Sequence, residues 1–159
     1  MAWTRPLRLK NKEEHMPKHD NNGYWFSPSE ITQWVMANRR GGAFVKFPEW
    51  RILYDITESI KNNTMVLSVD LEGRIHGIMF GFWYPATETF HVSQAMVMRS
   101  KKVSTAEVMS IMMVKLRKLY PSCQVTATRR QRMVSYGNID KLITKFSNLA
   151  QLKKIHSKM

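Results

Sequence analysis

One turn of the chain, residues 99–105, is rich in basic and hydroxyl side chains. These residues are the best candidates in the sequence for a chemical function. The turn reads Arg-Ser-Lys-Lys-Val-Ser-Thr and precedes the most strongly helical segment of the chain. The start of a helix exposes backbone N–H groups and a partial positive charge, so it can seat a phosphate. Arg99, Lys101 and Lys102 add full positive charges, and Ser104 or Thr105 would cap the helix. The turn is therefore predicted to bind phosphate, and a basic surface turn is the alternative.

The charge of the whole chain favours the same kind of partner. The net charge is +13, and residues 99–159 carry 14 Lys and Arg against 2 Asp and Glu, whereas residues 1–98 carry 11 against 10. A lopsided charge of this kind bears on partners rather than on fold. It predicts a phosphate-bearing partner, either a nucleic acid or a nucleotide-like cofactor such as CoA. A solvated basic face that keeps the protein soluble is the alternative.

The elements that would position this turn follow from hydrophobic periodicity and from helix and turn signals. The predicted helices begin at Ser27, at Pro48, at Thr105 and near Asn138, and the predicted strands cover residues 64–71, 75–84, 89–98 and 123–128. The strand-helix-strand from 89 to 128 implies a right-handed crossover and a parallel pair, whereas the earlier strands are joined by short turns and should pair antiparallel. Gly77 and Gly81 inside one strand indicate a bulge or a close backbone approach.

These elements predict an α/β fold of the α+β kind, a central mixed antiparallel and parallel sheet with helices on both faces. The expected organisation is a polar basic arm over residues 1–26, one domain over residues 27–152 and a basic tail over residues 153–159. A chain of 159 residues is about the size of one domain.

In its element order over roughly residues 28–150, and in the turn described above, the chain resembles the GCN5-related N-acetyltransferase (GNAT) superfamily. In that family the strand before the turn splays from its neighbour and binds the pantetheine arm of acetyl-CoA. The turn then grips the pyrophosphate with the pattern Arg/Gln-x-x-Gly-x-Gly/Ala. Here Arg99 takes the first place, while Lys102 and Ser104 replace the two glycines. The chain thus resembles a degenerate member, truncated after the last helix, and shortened members of this kind occur among phage-encoded proteins.

The resemblance implies a GNAT-like fold, acetyl-CoA as cofactor and acyl transfer from acyl-CoA to an unknown amine. The reaction needs a base for the amine and an acid for the leaving thiolate. His91 or the nearby Glu88 would be the base, and Tyr136 matches the family's tyrosine acid. A packed histidine and an ordinary turn from Tyr136 into a helix capped by Asn138 are the alternatives. The residues that the resemblance assigns to the cofactor are Met96, Met98, Arg99, Lys101, Lys102, Ser104, Thr105 and Asn138.

A second function class rests on charge alone. Arg129, Arg130 and Arg132 place three guanidinium groups within four positions, and arginine forks suit phosphates. With Lys115 and Lys118 they could bind nucleic acid, although no zinc finger, RNP sequence or clear helix-turn-helix is present. The alternative function is therefore a non-catalytic basic protein on the same scaffold that binds nucleic acid or a host or virion protein.

Other function classes have no support in the sequence. A single cysteine, Cys123, rules out an internal disulfide and suits a reducing compartment. The longest apolar run, Gly77 to Tyr84, is too short to cross a membrane, and no signal peptide is recognisable. We expect a cytoplasmic protein without a membrane partner, located in the host cytoplasm or the virion interior if a phage encodes it. The histidines show no metal-binding spacing, so no metal is expected.

Overall fold

The computed structural model describes residues 21–39, 44, 46–98 and 103–157, and these residues form a five-stranded sheet with four α-helices. In the sheet, β3 and β4 are parallel and every other neighbouring pair is antiparallel, in the order β1-β2-β3-β4-β5. The predicted fold class is confirmed. The elements in chain order are α1 (Pro28–Asn38), α2 (Glu49–Lys61), β1 (Met65–Val69), β2 (Ile75–Tyr84), β3 (Thr89–Val97), α3 (Thr105–Leu119), β4 (Gln124–Arg129), β5 (Arg132–Asn138) and α4 (Ile139–Ser157).

Each face of the sheet has its own hydrophobic core, because helices cover both faces. On one face α1 and α2 pack over β1 and β2, with Ile31, Ile56 and Ile78 fully buried. On the other face α3 and α4 pack together, and Met112 and Ile139 are fully buried beneath them. Burying a side chain of this size contributes roughly 1.5–3 kcal/mol. The sheet is therefore a fixed platform between two helical layers.

The helix that follows the basic turn packs antiparallel against the last helix along its whole length. Arg117 Nη1 lies 3.0 Å from Asp140 Oδ1 at one end, and Lys154 Nζ lies 3.8 Å from Glu107 Oε1 at the other. At the start of α3 the Ser104 side chain accepts a hydrogen bond from the Glu107 N–H at 3.1 Å, as the sequence predicts. This pairing brings the end of α4 beside the beginning of α3.

The main difference from the sequence prediction is the hairpin that joins β4 to β5. At these positions the sequence predicted a charge cluster followed by a turn into the last helix. Arg130 and Gln131 form a two-residue turn, with φ of 50° and 66°, between strands that pair from Arg129↔Arg132 onward. Turns of this handedness usually carry Asn-Gly, so Arg-Gln gives no hairpin signal in the sequence. Tyr136 and Asn138 consequently lie in a strand and at its end rather than in a loop.

At both ends of the domain, described residues from the predicted arm and tail belong to the fold. Trp25 and Phe26 are buried, and the Asn22 side chain donates to the Val69 carbonyl oxygen at 2.7 Å. Helix α4 continues to Ser157, through most of the segment predicted as a tail. Among the helices of the described residues, none has the length and apolar character needed to cross a membrane.

The turn between β1 and β2 gives the fold a pH-dependent term. Burial by itself would raise the pKa of Asp70, but hydrogen bonds from the Arg74 backbone N–H, the His76 ring, the Arg74 side chain and the Glu72 N–H lower it to about 2. Because the folded-state pKa lies below the ordinary value of 3.8, the ionised carboxylate stabilises the fold above about pH 4. This contribution is lost as the pH falls toward 2.

Asp70→Asn is therefore expected to lower the free energy of unfolding by about 1–2 kcal/mol at neutral pH, since it removes charge-assisted hydrogen bonds. The difference between the wild type and the variant should shrink between pH 4 and pH 2, as urea unfolding at each pH would show. Glu72→Gln is the control, because its ion pair with Arg74 is largely exposed to solvent and should contribute little. A gap between the two proteins that persists at pH 2 would contradict the assignment.

Candidate functional site

Strands β3 and β4 run side by side for only part of their length. They pair from Thr89↔Gln124 to Val92↔Ala127, after which β3 continues beside β2 and β4 continues beside β5. Because the two strands are parallel, their carboxyl ends lie at the same edge of the sheet. We call this edge, where β3 ends at Val97 and β4 ends at Arg129, the open edge. A gap between the two strands begins beyond their last pair and opens toward this edge.

A β-bulge in β3 lies at the point where the strands part. The pairing of β2 with β3 passes from Phe80↔Gln94 to Gly81↔Val92, which leaves Ser93 without a partner on β2. The backbones approach so closely here that a Cβ atom on Gly81 would lie 1.8 Å from the His91 carbonyl oxygen. A bulge bends its strand and increases its twist. The bulge expected from the glycines of β2 is thus confirmed at Gly81, and it explains why β3 leaves β4.

A cavity of about 880 Å³ occupies this gap, on the face covered by α3 and α4. We call it the splay cavity. Its volume falls within the range of ligand sites, about 300–1,000 Å³. Its walls come from β2, β3, β4, β5, α3 and α4. The lining residues are Met79, Val92–Ala95, Met109, Met113, Val125, Ala127–Arg130, Tyr136, Leu142 and Phe146.

Positive charge is concentrated where the splay cavity meets the open edge. Arg129 and Arg130 line it and are exposed. The amino-terminal end of α3, with its Ser104 cap, lies at the same edge because α3 follows β3. The turn predicted to bind phosphate connects β3 to α3. Its residues Arg99, Lys101 and Lys102 lie outside the described residues. Thr105 is the first residue of α3. The described part of this edge can hold an anion through guanidinium groups and helix N–H groups.

Tyr136 lines the splay cavity from β5. It is the unpaired residue of a second irregularity, since β4 pairs with β5 at Val125↔Gly137 and then at Thr126↔Ser135. These rows belong to the part of β4 that still pairs with β3. The Arg129 guanidinium carbon lies 5.6 Å from the centroid of the Tyr136 ring. The cavity therefore brings a phenol and a guanidinium group close together.

His91 lies on the other side of the sheet from the splay cavity. Its neighbours Phe90 and Val92 pack into the core under α3 and α4, so the alternation of a strand turns His91 to the opposite face. Its Nδ1 lies 2.8 Å from the Thr126 hydroxyl and its Nε2 lies 3.0 Å from the Thr128 hydroxyl. The ring thus links β3 to β4 immediately before the two strands separate. It therefore helps to define where the gap begins.

The other predicted site residues are spread over the molecule. Glu88 is an exposed turn residue before β3, and Asn138 caps α4 through a 2.8 Å hydrogen bond from the Asp140 N–H. Both lie away from the open edge, since β3 and α4 begin at the opposite edge. Met96 and Met98 pack against the core of α1 and α2. Of the predicted catalytic residues, the structure brings Tyr136 into the splay cavity.

The basic residues of the nucleic-acid alternative also fall into separate groups. The three arginines of the β4–β5 hairpin, Arg129, Arg130 and Arg132, are exposed at the open edge. The Lys115 ammonium group instead donates to the Leu67 carbonyl oxygen at 2.6 Å, within the fold. Lys118 is exposed near the far end of α3. The hairpin is therefore the cationic surface that adjoins a cavity.

Sequence reasoning did not identify the apolar lining of the site, notably Met109, Met113, Leu142 and Phe146. Their helical spacing is that of ordinary core residues, so no local signal distinguishes them.

The polar groups do not form a metal site: among the described residues no group of three His, Cys, Asp or Glu side chains could hold a metal ion. No family model, curated protein or solved structure matches this chain.

Proposed function

We propose that this protein binds an acyl-CoA in the splay cavity and transfers the acyl group to an amine. The observation that carries the proposal is the separation of β3 from β4 at the Ser93 bulge, which leaves a cavity of about 880 Å³ that ends at a cationic edge. The resemblance to the GNAT superfamily implies that the pantetheine arm would bind in a gap between these two strands.

The residues that line the cavity fit such a ligand. Met109, Met113 and Phe146 offer apolar walls to an extended arm. The edge of β3 beyond Val92 faces the cavity rather than a strand, so its backbone N–H and C=O groups are placed to bond the amides of the arm. Arg129 and Arg130 would hold the phosphates at the other end. Acetyl-CoA supplies a thioester, whose carbonyl carbon accepts the amine and whose sulfur leaves.

The reaction would need two proton movements besides the exchange of a C–S bond for a C–N bond. Tyr136 lines the cavity, and its hydroxyl group would donate a proton to the departing sulfur. The apolar walls around it exclude water and so protect the thioester from hydrolysis. The amine must lose a proton to a base. Neither predicted base, His91 or Glu88, lines the splay cavity, so water would take this proton.

Isothermal titration with acetyl-CoA tests the proposal directly. The wild type is expected to bind one equivalent, and Ala127→Trp is expected to abolish binding because the indole would fill the space between the strands. Thermal denaturation of the variant checks that the fold survives. A wild type that shows no heat of binding at millimolar acetyl-CoA would refute the proposal.

A non-catalytic protein that binds nucleic acid is the second candidate, and the exposed arginines of the β4–β5 hairpin favour it. Such binding would be largely independent of base sequence and would weaken steeply with salt. An oligonucleotide titrated at two salt concentrations distinguishes the candidates. Tight salt-dependent binding, together with no binding of acetyl-CoA, would select the second.

A further inference from the structure

The β4–β5 hairpin holds like charges together. Arg129 and Arg132 are direct cross-strand partners, and Arg130 lies in the turn between them. Partners in an antiparallel pair project to the same face, and like charges opposite one another destabilise a sheet. Repulsion among the three guanidinium groups therefore destabilises the hairpin.

The turn of this hairpin adds strain to that repulsion. Arg130 and Gln131 both have positive φ, at 50° and 66°. Residues with a Cβ atom adopt this left-handed region at a cost, which Asn and Gly at the two positions would largely avoid. Backbone strain that persists in a fold tends to occur where function requires the residues.

The protein does not supply counter-charges for these groups within the described residues. Residues 99–159 contain only two carboxylate side chains, Glu107 and Asp140. Glu107 lies 3.8 Å from Lys154, and Asp140 lies 3.0 Å from Arg117. Among the described residues, no ion pair joins a carboxylate to a hairpin arginine. An anion from outside the chain would relieve the repulsion.

We infer that Arg129, Arg130 and Arg132 form an anion clamp that binds the phosphate groups of the ligand's nucleotide end at the mouth of the splay cavity. The inference rests on the proposed function, because it assigns the far end of the same acyl-CoA. Arg129 and Arg130 line the cavity. Guanidinium forks bind phosphate oxygens in pairs. In the sequence, Lys102 and Ser104 stand where the resemblance expects the glycines of the phosphate turn.

The test compares two triple variants of equal charge, the clamp variant Arg129→Gln, Arg130→Gln, Arg132→Gln and the control Lys118→Gln, Lys141→Gln, Lys145→Gln. All three control lysines are exposed. The clamp variant is expected to bind acetyl-CoA about tenfold or more weakly than the wild type, while the control stays within about twofold. S-acetylpantetheine, which has the thioester arm but no nucleotide, should bind the wild type and both variants equally.

A second variant, Arg130→Asn with Gln131→Gly, guards against a misfolded hairpin. It suits the turn and removes one cation, so it should melt at a higher temperature than the wild type and yet bind acetyl-CoA several-fold more weakly. A structural role for Arg130 would not give this combination of higher stability and lower affinity.

The outcomes separate the clamp from the proposed function. Failure of the wild type to bind acetyl-CoA overturns both. If the wild type binds acetyl-CoA and the clamp variant binds it equally well, the cavity assignment stands and the clamp is refuted. Equal losses in the two triple variants show a general charge effect and also refute it. The clamp is likewise overturned if its variant loses affinity for a single-stranded oligonucleotide but keeps its affinity for acetyl-CoA.

Discussion

Gly81→Ala is expected to lower the free energy of unfolding by about 3 kcal/mol or more and to abolish acetyl-CoA binding. A Cβ atom at this position would lie 1.8 Å from the His91 carbonyl oxygen and 3.0 Å from the Ser93 nitrogen. Both are backbone atoms in a paired strand, so the clash can be relieved only by moving β2 away from β3. That movement removes the bulge and closes or reshapes the splay cavity. Chemical denaturation and titration with acetyl-CoA measure the two effects.

Two other glycines provide matched controls. A Cβ atom at Gly77 would lie 2.7 Å from Val108 Cγ1 and 3.2 Å from the Met112 side chain, so it would meet side chains rather than backbone atoms. Gly137 has no atom within 4 Å of such a Cβ, but its φ is +81°. Gly137→Ala should therefore cost only about 1–2 kcal/mol, from backbone strain alone. If Gly81→Ala is no more destabilising than Gly77→Ala, the backbone contact does not fix the bulge.

The elements with local signals could be predicted from the sequence. The Ser27 side chain accepts from the Glu30 N–H while Glu30 accepts from the Ser27 N–H, the capping box that the residue types indicate. Helix α3 and strand β2 have the predicted bounds, because both carry uninterrupted apolar patterns between clear turn signals. The parallel pairing of β3 with β4 followed from the crossover connection alone.

The remaining features depend on contacts between distant parts of the chain. The β4–β5 hairpin was missed because its turn residues, Arg130 and Gln131, adopt a conformation that other residues prefer. No local pattern marked the lining of the cavity either, since Met113 and Phe146 have the spacing of core residues and line a space only because β3 and β4 stop pairing. Gly81 indicated a close approach, but the sequence could not identify which backbone approaches it.

The sheet also explains why the charge asymmetry of the sequence has a spatial meaning. The end of β4, the beginning of α3 and the end of α4 are separate in sequence, yet the parallel crossover and the antiparallel helix pair bring them to the open edge. Arg129 and Arg130 therefore line the cavity at this edge, while Lys118 lies near the other end of α3. Topology thus concentrates part of the net charge where the proposed ligand would carry its phosphates.

Tyr136→Phe is expected to lower kcat for acyl transfer about 100-fold while the affinity for acetyl-CoA stays unchanged. The ring keeps its place in the cavity wall and its contact with the Arg129 guanidinium group, so binding loses little. Only the proton that the hydroxyl group would give to the departing sulfur is removed. Release of free CoA thiol from acetyl-CoA, with an amine on which the wild type turns over, measures kcat and KM separately.

Tyr120→Phe is the matched control for the loss of the hydroxyl group of a half-buried tyrosine. The Tyr120 hydroxyl donates to the Asn63 carbonyl oxygen at 2.7 Å, and its ring stacks on Trp83 with centroids 4.2 Å apart. This variant should lose about 1 kcal/mol of stability and keep the wild-type kcat, since the hydroxyl group stabilises the fold and does not line the cavity. The opposite pattern, full kcat in Tyr136→Phe, would mean that the thiolate takes its proton from another group. The position of Tyr136 in the wall of the splay cavity would then reflect packing alone.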